Sequence, residues 1–148
     1  MKLVARSVTI DRRPSEVFAL VDDPEHYEDF FVGVTRWESR SERRTGVGAR
    51  YRVLMRVGSI EAGGTIRVTD HRAGELIAWT WEEGIHQEGR WELTPRDGGT
   101  ELTLEVGFDL SGGPAGRLVE RLAGRIVGRN LTATLLAARR ILEARARV

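Results

Sequence analysis

The chain has 148 residues, 23 of them basic and 22 acidic, with three histidines and no cysteine. Its length suits one domain, residues 1–148, able to bury roughly two thirds of the surface its unfolded form exposes. The absence of cysteine excludes disulfides, thiolate metal sites and thiol nucleophiles, and a net charge of +1 argues against a dedicated nucleic-acid binder. MKLVARSVTIDRR has neither the apolar stretch nor the cleavage site of a signal peptide, and no apolar run approaches the ~20 residues of a membrane span. The expectation is a soluble, cytoplasmic protein.

In chain order, Leu3 to Ile10 alternates as a strand does. Pro14 opens a helix, PSEVFALV, and Asp23 before Pro24 is a second cap-and-proline start, for PEHYEDFF. From Thr35 to Leu110 the period becomes two, broken by GVG, GS, AG, EGI and DGG, which predicts an antiparallel meander of six strands. Pro114 to Ala146 then reads as one helix of ~45–50 Å at 1.5 Å per residue. This order predicts an α+β fold with the helices against one face of an antiparallel sheet.

Strand residues alternate faces, so the parity of the apolar positions marks the covered side. It carries Tyr51, Val53, Met55 and Val57, then Ile66 and Val68, then Ile77, Trp79 and Trp81, then Trp91 and Leu93, then Leu102 to Phe108. Two-residue loops at Gly58-Ser59, Ala73-Gly74 and Asp97-Gly98 give registers consistent with that parity: Tyr51 opposite Ile66, Val68 opposite Trp79, Trp91 opposite Leu104. Between Trp81 and Trp91 the same rule demands an odd loop, EGI or EEGIH. Trp81 then faces Gln87, Trp79 faces Gly89, whose missing side chain leaves room for the indole, and His86 falls outside. One row across the covered face becomes Tyr51, Ile66, Trp81, Gln87 and Phe108.

The long helix supplies the opposite wall. Leu118, Val119, Leu122, Ile126, Val127, Leu131, Ala138, Ile141 and Leu142 form its apolar stripe, with Asn130 and Thr134 inside it and in need of partners. Gly124 and Gly128 fall on its outer side, where they would permit close contact with a partner. From Pro114 onward eight arginines stand against two glutamates, so this helix carries +6 and the rest of the chain −5. Its basic face is a solvated surface or an attraction to anionic membrane headgroups. RNA is disfavoured because no aromatics interleave there.

Other features carry less chemistry. His26, His71 and His86 have no ligand spacing, and parity puts the latter two outside, so neither metal nor cofactor is expected. The acidic pairs Asp22-Asp23, Glu28-Asp29 and Glu82-Glu83 belong to helix ends and turns. The glycines of GVGAR precede a strand and have the wrong spacing for a phosphate loop. Arg6 shares the parity of Val4 and Val8; it reads as a bulge or a snorkelling residue, with a cavity cation as the alternative. The tryptophans are either core or the flat wall of a ligand cavity.

The run SVTIDRRPSEVFALVDDPEHYEDF, the later GVGARYRV, RWELTPRDGGTELTLEVGFDL and the terminal helix together resemble the START-related helix-grip superfamily, in its polyketide cyclase/dehydrase and lipid-transport-like (SRPBCC) group. The resemblance implies a seven-stranded antiparallel sheet curved around the C-terminal helix, with a cavity between them for lipids, sterols, polyketides or other apolar molecules. It identifies the fold better than a reaction, since only a minority of such proteins are enzymes.

Together these readings predict a binding or carrier protein for a small hydrophobic molecule, with a cavity of ~300–1,000 Å³. Its lining would be Trp37, Tyr51, Val53, Met55, Ile66, Trp79, Trp81, Gln87, Trp91, Phe108, Ile126, Asn130 and Thr134, joined by Ser39 and Ser41 if Trp37 faces inward. The alternatives are a polyketide cyclase, aromatase or dehydratase using Tyr51 as acid or hydrogen-bond donor, and a ribosome- or protein-interaction module using the basic helix. Monomer and homodimer both stay open.

Overall fold

The computed structural model describes residues 1–83, 86–109 and 113–146. Strand β1 (Lys2–Ile10) leads into helix α1 (Pro14–Val21), and a 3-10 turn (Pro24–His26) runs into the one-turn helix α2 (Tyr27–Phe30). Both starts follow the predicted chemistry. Proline occupies the first position, where its missing N–H costs nothing, and the Asp23 carboxylate caps the second by accepting the Glu25 N–H at 3.0 Å. Six strands follow, β2 (Val34–Ser39), β3 (Arg50–Val57), β4 (Ile60–Arg72), β5 (Leu76–Trp81), β6 (His86–Arg96) and β7 (Gly99–Asp109), and then helix α3 (Gly113–Ala144). The seven strands form one antiparallel sheet in the order β1-β7-β6-β5-β4-β3-β2, leaving β1 and β2 as edges. This is the helix-grip arrangement.

Two hairpins have the predicted form. Arg96 pairs with Gly99 around Asp97 and Gly98, whose φ angles of 46° and 81° are those a two-residue type I′ turn requires. Val57 pairs with Ile60 around Gly58-Ser59, which sets Tyr51 opposite Ile66. Between β5 and β6, Ile77 pairs with Trp91 and Trp79 with Gly89, the register of an odd loop. That loop's Gly84 and Ile85, and Leu110 at the end of the predicted meander, lie outside the described residues.

The β4–β5 hairpin departs from expectation. Ile66 pairs with Trp81 and Val68 with Trp79, but after a bulge between Val68 and Asp70 the pairs become His71 with Ile77 and Arg72 with Leu76. Its loop therefore has three residues, Ala73 to Glu75, instead of two. An extra residue in one strand reverses the faces that follow it. His71, predicted outside, thus turns to the covered face, where its Nε2 lies 2.9 Å from Asp22 Oδ1 and its ring meets Phe18 edge-on.

The long helix is also rotated from its predicted setting. Leu131, Leu135, Ala138 and Leu142 are buried, but Leu118, Val119 and Leu122 are 57%, 49% and 51% exposed. The glycines predicted outside face inward instead: a Cβ on Gly128 would meet the Arg6 guanidinium and Val4, and one on Gly124 would meet Lys2. Bare glycines let the helix backbone lie close over β1, and Leu122, two residues before Gly124, consequently points away from the sheet. Arg6 is exposed and continuous antiparallel pairing runs through β1, so it is a snorkelling side chain without a bulge.

The far end of α3 is held by Arg12, Asp11 and Thr100. The buried Arg12 donates from Nη2 to the Glu143 and Arg145 carbonyls at 2.8 and 2.9 Å, capturing backbone acceptors at the helix C-terminus. The Asp11 N–H donates to Glu143 Oε2 at 2.9 Å, and Thr100 Oγ1 donates to the Arg12 carbonyl at 2.7 Å.

Candidate functional site

The covered face of β2 to β6 is aromatic because alternation stacks Trp37, Tyr51, Trp79, Trp81 and Trp91 on one side. Two of these indoles lie over glycines of neighbouring strands. A Cβ on Gly89 would come within 2.5 Å of the Trp79 ring, and one on Gly64 within 2.5 Å of the Trp81 ring. The first was legible from register; Gly64 was missed, although its pairing with the inward Val53 follows from the Gly58-Ser59 turn.

Facing this wall is the short turn Pro24 to Phe31. Tyr27, Phe30 and Phe31 are all buried and form an aromatic cluster with Trp37 and Trp91. The Tyr27 hydroxyl donates to the Val21 carbonyl and accepts the Trp91 Nε1–H at 3.0 Å. Burial, the largest influence, pushes the Tyr27 hydroxyl far above the usual tyrosine range. Tyr27 is not among the predicted lining residues, yet the i, i+3, i+4 spacing of Tyr27, Phe30 and Phe31 is an inward helical face.

Two water-sized voids remain between wall and turn. The first, about 20 Å³, is bordered by Val21, Asp22, Pro24, Tyr27, Trp37, Gly46, Tyr51, Ile66, Val68, Ile77 and Trp79. The second, about 10 Å³, is bordered by Phe31, Trp37, Val53, Met55, Ile66, Trp79, Trp81, Gln87 and Val106. Trp37, Ile66 and Trp79 border both. Each of these two voids has room for about one water, well below the expected several hundred Å³.

The predicted lining residues therefore divide. Trp37, Tyr51, Val53, Met55, Ile66, Trp79, Trp81 and Gln87 come together around the voids. Trp91 is fully buried and Phe108 nearly so, both as core. Ile126, Asn130 and Thr134 border neither void. Thr134 is fully buried and already partnered: its Oγ1 donates to the Asn130 carbonyl at 2.8 Å and accepts the Val32 N–H at 2.9 Å, tying α3 to the loop after α2. At these voids the sheet is faced by the Pro24–Phe31 turn, while α3 packs on the sheet with Leu131, Leu135, Ala138 and Leu142 in the shared core. Ser39 and Ser41 make bonds within their own turn, to the carbonyls of Ser41 and Arg43.

Polar capacity at the voids is small. The Tyr51 hydroxyl donates to the Arg44 carbonyl and is pushed up to about 12, by burial first and by the charge of Asp22 next. Asp22 is paired with His71. Trp37 Nε1 is buried and has no hydrogen-bond partner among the described residues. Among the described residues no group of three or more His, Cys, Asp or Glu side chains could hold a metal.

A curved antiparallel sheet closed by a long C-terminal helix, with an aromatic interior between them, defines the START-related helix-grip class. The sequence profile described as polyketide cyclase/dehydrase and lipid transport matches residues 1–143, and the chain belongs to that family. No curated protein matches it. Among solved structures, TTHA0849 from Thermus thermophilus is similar with a TM-score of 0.83 and 19% identity, over 97% of this chain and 98% of that one. The Zhui aromatase/cyclase from Streptomyces sp. R1128 is similar with a TM-score of 0.77 and 22% identity, over 98% and 96%. A START superfamily protein from Mycobacterium smegmatis gives 0.75 and 17%, over 96% and 97%. At these identities the likeness is one of fold.

Proposed function

We propose that this protein binds and carries a small hydrophobic molecule between the aromatic wall of β2 to β6 and the Pro24–Phe31 turn. The observation that carries the reading is the pair of voids flanking Trp37 in an otherwise apolar, aromatic interior. Apolar burial supplies affinity, at about 25 cal/mol per Å² removed from water. Each void has room for about one water, so a ligand seated there must widen them. Titration with the neutral fluorophore N-phenylnaphthylamine tests this: saturable binding of one probe per chain is expected, weakened by Trp81→Ala, and no saturable binding would contradict it.

Turnover is the weaker reading, although a structural relative is named an aromatase/cyclase. A cyclase of this kind needs a proton-transferring group beside the substrate, and the Tyr51 hydroxyl is committed to the Arg44 carbonyl. Tyr51→Phe is expected to leave probe affinity within about twofold. A poly-β-ketone cyclised by the protein and not by this variant would favour the enzyme instead.

One surface favours a membrane as the place of exchange. No helix is long and apolar enough to cross a bilayer. However, α3 exposes Leu118, Val119 and Leu122 in the same turns that carry Arg121 and Arg125, which with Lys2 and Arg6 line a groove of about 340 Å³ and make no ion pair among the described residues. Apolar side chains beside uncompensated cations suit an anionic lipid surface. Arg117's side chain and Arg147 lie outside the described residues. Binding to phosphatidylserine vesicles and not to phosphatidylcholine vesicles is expected, with Arg125→Gln weakening it about fivefold; equal binding to both would contradict it.

A further inference from the structure

The interior's hydrogen-bond inventory restricts the ligand further. Among the described residues, two buried side-chain polar atoms lack a partner, Arg12 Nε and Trp37 Nε1. Arg12 sits at the β1–α1 junction, where its other nitrogens serve the Asp11, Glu143 and Arg145 carbonyls. Trp37 borders both voids. The remaining inward hydroxyls and indoles with assigned bonds are occupied: Tyr27 and Tyr51 by backbone carbonyls, Trp91 by Tyr27, Thr134 by Val32 and Asn130.

An indole N–H donates and cannot accept. A buried donor left unpaired is rare in folded proteins and is normally met by protein, water or ligand. The half-exposed Gln87 amide borders the second void and makes no side-chain hydrogen bond among the described residues, so it offers a further polar contact there. The charge of the lining is equally specific. The second void has no ionisable group, and the first has Asp22 as its one charged residue. A carboxylate or phosphate in the second void would meet no charged group, and in the first it would lie beside the Asp22 carboxylate, which already holds the His71 imidazole.

Resting on the binding reading above, we infer that the buried part of the ligand is neutral and carries a hydrogen-bond-accepting oxygen, such as a ketone, ester or ether, that takes the Trp37 indole N–H. Free fatty acids and phosphate headgroups are thereby excluded from the interior.

Three probes of nearly one shape separate the possibilities: acetylnaphthalene, a neutral acceptor; isopropenylnaphthalene, a hydrocarbon of the same outline; and naphthoate, an anion. Proton–nitrogen spectra of tryptophan-labelled protein resolve the four indole N–H groups, with Trp91 as a hydrogen-bonded internal reference. The ketone is expected to bind about tenfold tighter than the hydrocarbon and to move the Trp37 signal downfield while Trp91 stays. Naphthoate is expected to bind weakest. In Trp37→Phe the ketone's advantage disappears while hydrocarbon binding persists. Equal binding of ketone and hydrocarbon with the Trp37 signal unmoved, or naphthoate binding as tightly as the ketone, overturns the inference and leaves the binding reading standing. Failure of all three to bind overturns both. The measurement on the unsubstituted protein stands even if the Phe variant does not fold.

Discussion

Tyr27 accepts a hydrogen bond from the Trp91 indole while donating its own to the Val21 carbonyl, so one hydroxyl joins α1, the turn after it and the centre of the sheet. Tyr27→Phe leaves a buried donor and acceptor unpaired and is expected to cost ~1–3 kcal/mol by urea denaturation. Tyr51→Phe, at a partly buried bond, is expected to cost about 1 kcal/mol. The same residues give a pH signature. Both tyrosines of the chain are raised above the usual value near 10, Tyr51 to about 12. Their contribution is therefore complete below about pH 10 and is lost as pH rises through 12, because the unfolded chain releases protons that the folded chain keeps. Absorbance at the tyrosinate band should stay flat to about pH 11 in native protein and rise once it unfolds; a normal titration near 10 would contradict this. The aromatic spacing that reveals Tyr27 was present in the sequence. The inward turn of His71 was not, because a bulge depends on how two strands settle against each other, and a three-residue loop cannot be distinguished from a two-residue one by composition.

Elements were legible where their chemistry is local. Proline starts, the Asp97-Gly98 turn and period-two alternation each act within a few residues, so strand order and most registers follow from them. The rotation of α3 about its axis does not. Its apolar residues span a wide arc, and the deciding fact is the close approach of Gly124 and Gly128 to β1, a contact between residues more than a hundred positions apart. Two glycine substitutions separate close packing from spare room. Gly89→Ala drives a methyl into the Trp79 indole and is expected to cost ~1–3 kcal/mol. Gly128→Ala meets the movable end of Arg6, and with the helix preference for alanine of ~0.5–1 kcal/mol it should be neutral to slightly stabilising. Equal losses at both would show that the helix cannot shift by even a few tenths of an ångström. Thr134→Val removes the acceptor for the Val32 N–H and is expected to cost ~1–3 kcal/mol, with Thr134→Ser retaining most of it.

Over the whole molecule, the fold was readable and the interior only partly so. Parity identified the aromatic wall, but it could not reveal that the Pro24–Phe31 turn packs against it, nor that wall and turn leave water-sized voids between them. Both facts arise from how the turn's three aromatics pack, which no single strand's pattern encodes. On the proposed reading, a ligand of even ten heavy atoms seated at these two voids has to widen them by moving Trp37 or the turn. Ligand-bound protein should then show slowed amide exchange in the Pro24–Phe31 turn and β2, while the β6–β7 hairpin, already fully paired, changes little.

The most direct test of carriage is native mass spectrometry of the protein purified without organic solvent, followed by extraction of whatever it holds. The expected result is one neutral, oxygen-containing apolar molecule per chain, released when Trp37 and Trp81 are replaced by alanine. Protein that carries nothing, and whose mass is unchanged by saturating neutral apolar probes, would contradict carriage.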